Sequence, residues 1–296
     1  MTGRLADIKA RLDTVDQLDT VITAMRGIAA ARARHARQQI DGIRTYARTI
    51  GTAIGEALAL LPEPPPAAAR AGAPADVVIA LTAEQGFAGA FSARVLARAG
   101  AHLARGRTDG GTELMLIGDR GLMLAAEQGL DVGWSVPMAA HVDEIPALAD
   151  RIAGALYARL AAGRALHVSL IHSQPDSSGA ATVTEHALLP FDYSRFPGGK
   201  RVLPPLVSLP PDRLAGRLAE EHVFAELCAA LMLSFAAENE ARMRAMISAH
   251  GNVQRTRESL LSAFHRLRQE EITVEIVELA AGRAARPRHH GPAGIR

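Results

Sequence analysis

Proline placement constrains this chain more than any other feature. Fourteen of its sixteen prolines lie between Pro62 and Pro211, none precedes Pro62, and none occurs from Asp212 to Arg286. Proline removes a backbone donor and clashes with the preceding helical turn, so the two proline-free flanks are free to form long helices. The middle of the chain must be built from shorter elements.

The first flank predicts a helix from about Leu5 to Leu61, stopped by "PEPPP". Leu5, Ile8, Leu12 and Val15, then Ile22 and Met25, then Ile40, Ile43, Ala47, Ile50 and Ile54 recur at alternating gaps of three and four. That is the seam of a coiled coil, and a slip near Leu18 would change the supercoil locally. The second flank opens at Pro211 and Asp212, residue types suited to a helix start. It continues through Leu214, Leu218, Leu231, Met243, Val253, Leu260, Phe264 and Leu267. Unbroken, roughly 70 residues at ~1.5 Å each reach about 105 Å, thicker than any compact domain. Gly251 marks a weaker point, costing about 1 kcal/mol relative to alanine. Neither stripe fits against a globule alone, so the two ends are expected to bury their seams on each other, antiparallel.

Between the flanks the period changes. "ADVVIALTA" (75–83), "TELMLIG" (112–118) and "ALHVSLIHS" (165–173) are short apolar runs that predict buried strands. Helical stretches begin at Ser92 and Ala147, and "ATVTEHALL" (181–189) follows the turn "QPDSSG" as a hairpin strand. The fold class expected is therefore α/β with long helices. An antiparallel coiled coil of terminal helices (1–61 and 212–286) carries an inserted Rossmann-like domain over 74–205, and a basic tail follows at 287–296.

The composition is that of an ordinary soluble protein, 48% apolar and 22% charged. The single cysteine, Cys228, excludes an intrachain disulfide and a multi-cysteine metal site. The charged, periodic start "MTGRLADIKARLDT" is unlike a secretory signal, and no window is apolar enough to span a bilayer. These features predict a cytoplasmic protein. A net charge of +2 argues against coating nucleic acid, although "ARARHAR" at 31–37 is locally basic. Its arginines form either a solvated helix face or, with Met25 and Arg26, a collar for an acidic partner.

Chemistry is hard to find. "TAEQGFAGAF" (82–91) stands where a phosphate-binding turn would follow a first strand. With only Gly86 and Gly89 it matches neither GxGxxG nor the lysine-bearing P-loop. The eleven histidines are scattered, so no metal site is expected. No catalytic residue and no cofactor is expected either.

Three stretches then carry a resemblance. "ITAMRGIAAARARHARQ" (22–38), "ENEARMRAM" (238–246) and "RQEEITVEIVELAAG" (268–282) resemble the gamma subunit of F-type ATP synthases. The order helix, insertion, helix is also similar. The likeness is strong over 1–60 and 236–284 and weaker between. It implies a rotor shaft, without catalysis, turning inside a ring of alpha and beta subunits. Its lower domain would lie beside the epsilon subunit and the c-ring, peripheral to the cytoplasmic face of the inner membrane, with a proton or sodium ion as coupling ion. Carried over by motif, Met25 and Arg242 would face the moving beta subunits. Arg268, Gln269, Thr273 and Glu275 would face the collar around the upper shaft, with Ile272, Ile276 and Leu279 as both seam and bearing. Thr23, Gly27, "GFAGAF" and the stretch 192–205 depart from the family pattern. Two rival readings are an α/β enzyme using the Gly86–Gly89 turn for a nucleotide, and a coiled-coil scaffold unrelated to ATP synthesis.

Overall fold

The computed structural model describes residues 2–61, 76–105, 111–163, 165, 167–176, 181–196 and 206–284. The "PEPPP" stop and the tail 287–296 lie outside them, as do the expected domain ends at 74 and 205.

Both flanks are helical. α1 runs Thr2–Leu58 and α5 runs Pro211–Ala284 without a break at Gly251. Between them come β1 (Asp76–Leu81), α2 (Phe91–Ala104), β2 (Thr112–Ile117), α3 (Asp119–Glu127), β3 (Trp134–Val136), α4 (Ile145–Ala161), β4 (His167–Pro175) and β5 (Ala181–Leu189). The sheet order is β3-β2-β1-β4-β5, with β5 antiparallel to β4 and every other pairing parallel. The expected strands and the hairpin are present. α3 and β3 add a helix and a strand beyond them.

Contacts divide the chain into two compact units, one of residues 1–25 and 246–296, the other of residues 26–245. The division cuts both long helices rather than falling at their ends. In the larger unit the sheet is buried on both faces. Val78, Ala80, Leu114 and Leu116 pack with Val95, Leu96 and Ala99 of α2 and Ala125 of α3. Val77, Ile79, Leu81, Met115 and Ile117 belong to a second core that holds α4 together with Ala36 and Ile40 of α1 and Leu227, Leu231 and Phe235 of α5. These parts of the long helices therefore bury much of their stripe in the core of the α/β domain. This burial adds to the expected pairing of the two helices with each other.

Helix pairing is antiparallel within each unit. In the larger one Tyr46 donates to Glu221 and Arg37 pairs with Glu240. In the smaller one Asp19 meets His250 at 2.6 Å and Asp16 accepts from Arg257 at 2.8 Å. As α1 positions fall in number, their α5 partners rise.

Candidate functional site

β1 ends at Leu81, and the turn of residues 82–90 leads into α2. In doubly wound sheets the crevice outside the carboxyl ends of the strands is where ligands bind. Here α5 approaches that end of β1. Ser234, Glu238 and Arg242 are four residues apart, hence stacked on one helix face. Ser234 Oγ donates to the Leu81 carbonyl at 3.5 Å. The Glu238 carboxylate lies near the backbone of Glu84, which favours its charged form. Arg242 donates to Gln85 O at 3.0 Å, Gly86 O at 3.2 Å, Glu238 Oε1 at 2.6 Å and Asn239 Oδ1 at 3.4 Å. Beneath this ladder Ala83, Ala88 and Phe91 pack with Ala181 and with Ala237 of α5.

The turn is braced from its other side as well. Glu84 Oε2 accepts from Met138 N at 2.7 Å and Asp119 N at 3.2 Å, and Ser92 Oγ accepts from Ala83 N at 3.2 Å. At its tip Phe87 is 69% exposed with φ +63°, a conformation that side chains rarely adopt. The Gln85 and Gly86 carbonyls are held by Arg242 of α5, the Ala83 N–H by Ser92 of α2 and the Ala83 carbonyl by the Arg120 N–H of α3. The geometry is that of a clasp between sheet and helix.

Electrostatics at the clasp are those of a buried pair. Glu238 and Arg242 are each about 5% exposed. Burial pushes the Glu238 carboxyl above its ordinary range, while the Arg242 charge and hydrogen bond act against that push. A single lost partner would strand the other charge.

Arg242 was expected to face a partner; the structure places it beneath the turn, inside this chain. Met25 is half-buried on α1. Arg268, Gln269, Thr273 and Glu275 are exposed on α5, where Thr273 Oγ1 donates back to Gln269 O at 2.8 Å. Arg266, Gln269, Glu270, Thr273 and Val274 line a shallow groove there. Beside them Ile272, Val274, Ile276, Val277 and Leu279 are 43% to 64% exposed, too open for seam positions. Ile272, Ile276 and Leu279 share one face of the helix, and Val274 and Val277 lie on another. The four upper-shaft candidates thus share one stretch of helix in the smaller unit, and Arg242 belongs to the larger. Sequence reasoning missed Ser234, Glu238 and Glu84; the four-residue spacing was visible, but not what it faced.

A cleft of about 430 Å³ lies elsewhere in the larger unit, lined among others by His186, His222, Glu226, Phe191 and Phe196. Burial holds His186 and His222 below the usual imidazole range, and it holds the neighbouring His172 down at about 4. Burial also pushes the Cys228 thiol up to about 11, which leaves it unreactive as a thiolate. Among the described residues no group of three His, Cys, Asp or Glu side chains is placed to hold a metal ion, and no helix is long and apolar enough to cross a membrane.

Comparison with known proteins supplies the family. A family model described as ATP synthase matches residues 4–285. The ATP synthase gamma chain of Frankia casuarinae is 29% identical over 293 residues, covering 95% of this chain and 97% of the relative. That of Pelodictyon phaeoclathratiforme is 28% identical over 288 residues, covering 94% and 97%. Among solved structures, a chain of the Euglena gracilis mitochondrial ATP synthase (OSCP/F1/c-ring) superposes with a TM-score of 0.67 at 12% identity, covering 100% of this chain and 99% of that one. A chain of the Tetrahymena thermophila central stalk and c-ring gives 0.56 at 16% identity, covering 77% and 99%. At such identities the structural matches speak to the fold. The near-complete family match, carried by a chain of two terminal helices around an inserted α/β domain, shows that the protein belongs to the ATP synthase gamma family.

Proposed function

We propose that this chain is the central-stalk subunit of a rotary ATP synthase, a shaft that holds no substrate and changes the catalytic sites of surrounding subunits by its orientation. The observation that carries the reading is the set of exposed apolar residues on Ile272–Leu279, close to the end of α5. Contiguous exposed apolar surface marks a docking site, and a helix end of this kind suits the interior of a ring. Coupling is then differential binding: each orientation of an off-centre shaft favours one conformation of each neighbour, so nucleotide affinity is linked to angle.

Exposure supports the upper-shaft contacts that the resemblance implies. Arg268, Gln269, Thr273 and Glu275 meet the collar of alpha and beta subunits, and half-buried Met25 meets the moving beta subunits. Arginine suits such a contact because its planar fork grips a carboxylate at two points and stays charged. The α/β domain lies toward the epsilon subunit and the c-ring. The chain is peripheral to the cytoplasmic face of the inner membrane, and the ring it turns with carries protons or sodium ions.

The test is co-expression with the alpha and beta chains of the same source. A stable complex with organised ATPase activity is the expected result. A chain that neither assembles with them nor alters their ATPase activity would overturn the reading.

A further inference from the structure

We propose that Ser234, Glu238 and Arg242 form the joint through which the α/β domain and α5 turn as one body, with Glu238 the residue that positions Arg242. This rests on the central-stalk reading and deepens it. A shaft driven through its lower domain against a loaded ring must pass shear across the contacts between that domain and α5. Where the turn meets α5, the apolar part of those contacts is mostly small, Ala83 and Ala88 with Ala237 and the half-buried Ala241. Nearer its start α5 shares the large core with the sheet, but at the turn itself small side chains interdigitate little and add little resistance to sliding. Hydrogen bonds to charged groups are directional and stronger than neutral ones, so they resist displacement along the interface.

The geometry assigns the roles. Arg242 reaches two consecutive carbonyls, Gln85 O and Gly86 O, which requires its fork to be held in one orientation. Glu238, one turn earlier, holds Nη2 at 2.6 Å, while Asn239 accepts from Nη1 at 3.4 Å. The Glu84 backbone also favours the charged form of Glu238, so the carboxylate that orients the arginine lies against the same turn. Glu84, the other carboxylate facing this point, has Oε2 engaged by Met138 N and Asp119 N. The turn is thereby fastened both to α5 and to the rest of the sheet. From Arg242 the same helix continues to Ala284.

The experiment uses the assembled complex in inverted membrane vesicles and reads two rates, ATP hydrolysis and ATP-driven ion uptake. Glu238→Ala should retain assembly and hydrolysis while lowering ion uptake per ATP severalfold; Glu238→Gln, which keeps an acceptor for Arg242, should lose much less. The exchange Glu238→Arg with Arg242→Glu restores an ion pair but places no donor beneath the Gln85 and Gly86 carbonyls, so it should fail to recover uptake. Arg242→Lys supplies a point charge in place of the fork and serves where Glu238→Ala does not accumulate. Uptake per ATP equal to that of the unaltered chain in Glu238→Ala or Arg242→Lys would overturn the proposal. So would full recovery in the exchanged pair, which would reduce Glu238 to a structural partner. If the unaltered chain fails to organise ATPase activity, the central-stalk reading fails instead.

Discussion

Acidification offers a quantitative check on the α/β unit through His172. This imidazole is 5% exposed on β4, with Nδ1 3.3 Å from Ser173 O and Nε2 3.2 Å from Thr184 Oγ1. Burial holds its pKa down at about 4 from 6.5; the Ser173 carbonyl pulls the other way, and His186, edge-on at 5.6 Å, adds a smaller push down. The unfolded chain therefore binds this proton before the native one does, so stability rises with pH across the window between the two values. The contribution is complete above about pH 6.5 and is lost on acidification toward about pH 4. Integrating one site over that window gives about 3 kcal/mol in total, of which about 2 kcal/mol is gone at ~pH 5. His186 and His222, also held down by burial, act in the same direction. The assay is urea unfolding followed by the single tryptophan, Trp134, which pairs with Met115 in the same sheet. Between ~pH 6.5 and ~pH 5, His172→Asn should flatten the fall in unfolding free energy by up to about 1.4 kcal/mol per pH unit, the value of one proton. An unchanged slope in the variant would refute the assignment of this proton to His172.

Other expectations are simpler to state. Gly121→Ala should destabilise the α/β unit by about 3 kcal/mol or more, since a Cβ there would sit 1.9 Å from the buried Thr82 Oγ1, which donates to Ile117 O at 2.5 Å; a melting temperature near that of the unaltered chain would contradict this. Arg159→Ala leaves Glu113 without the fork that binds both its oxygens at 2.5 and 3.0 Å, and should cost about 3 kcal/mol in the same unfolding assay. Thr273→Val touches only an exposed hydroxyl bonded to its own helix, so stability should move by no more than about 0.5 kcal/mol, while ATPase activity of the assembled complex changes measurably.

The long helices were legible because proline is excluded from helix interiors on physical grounds, and residues 1–61 and 212–286 contain none. The buried strands showed as apolar runs for the same local reason. β3 is three residues, "WSV", too short for any alternation to register, and α3 is only nine residues, preceded by Gly118 at φ +105°, a length at which little more than two turns can show a period. What escaped altogether was long-range. Ser234, Glu238 and Arg242 shared a face by simple spacing, yet nothing local said that this face meets a turn more than 140 residues earlier in the chain. A seam residue such as Ile40 likewise reads the same whether it meets another helix or the core around a sheet; here it joins the core that holds α4. The exposed candidates Arg268, Gln269, Thr273 and Glu275 were found through resemblance, since an exposed polar residue on a helix carries no signal of its own.

Rotation itself is the most direct measurement of the central claim. With the alpha and beta ring fixed to a surface and a bead attached to the α/β domain of this chain, added ATP should drive sustained turning in one direction. A bead that stays still while the fixed ring hydrolyses ATP at its full rate would contradict the account.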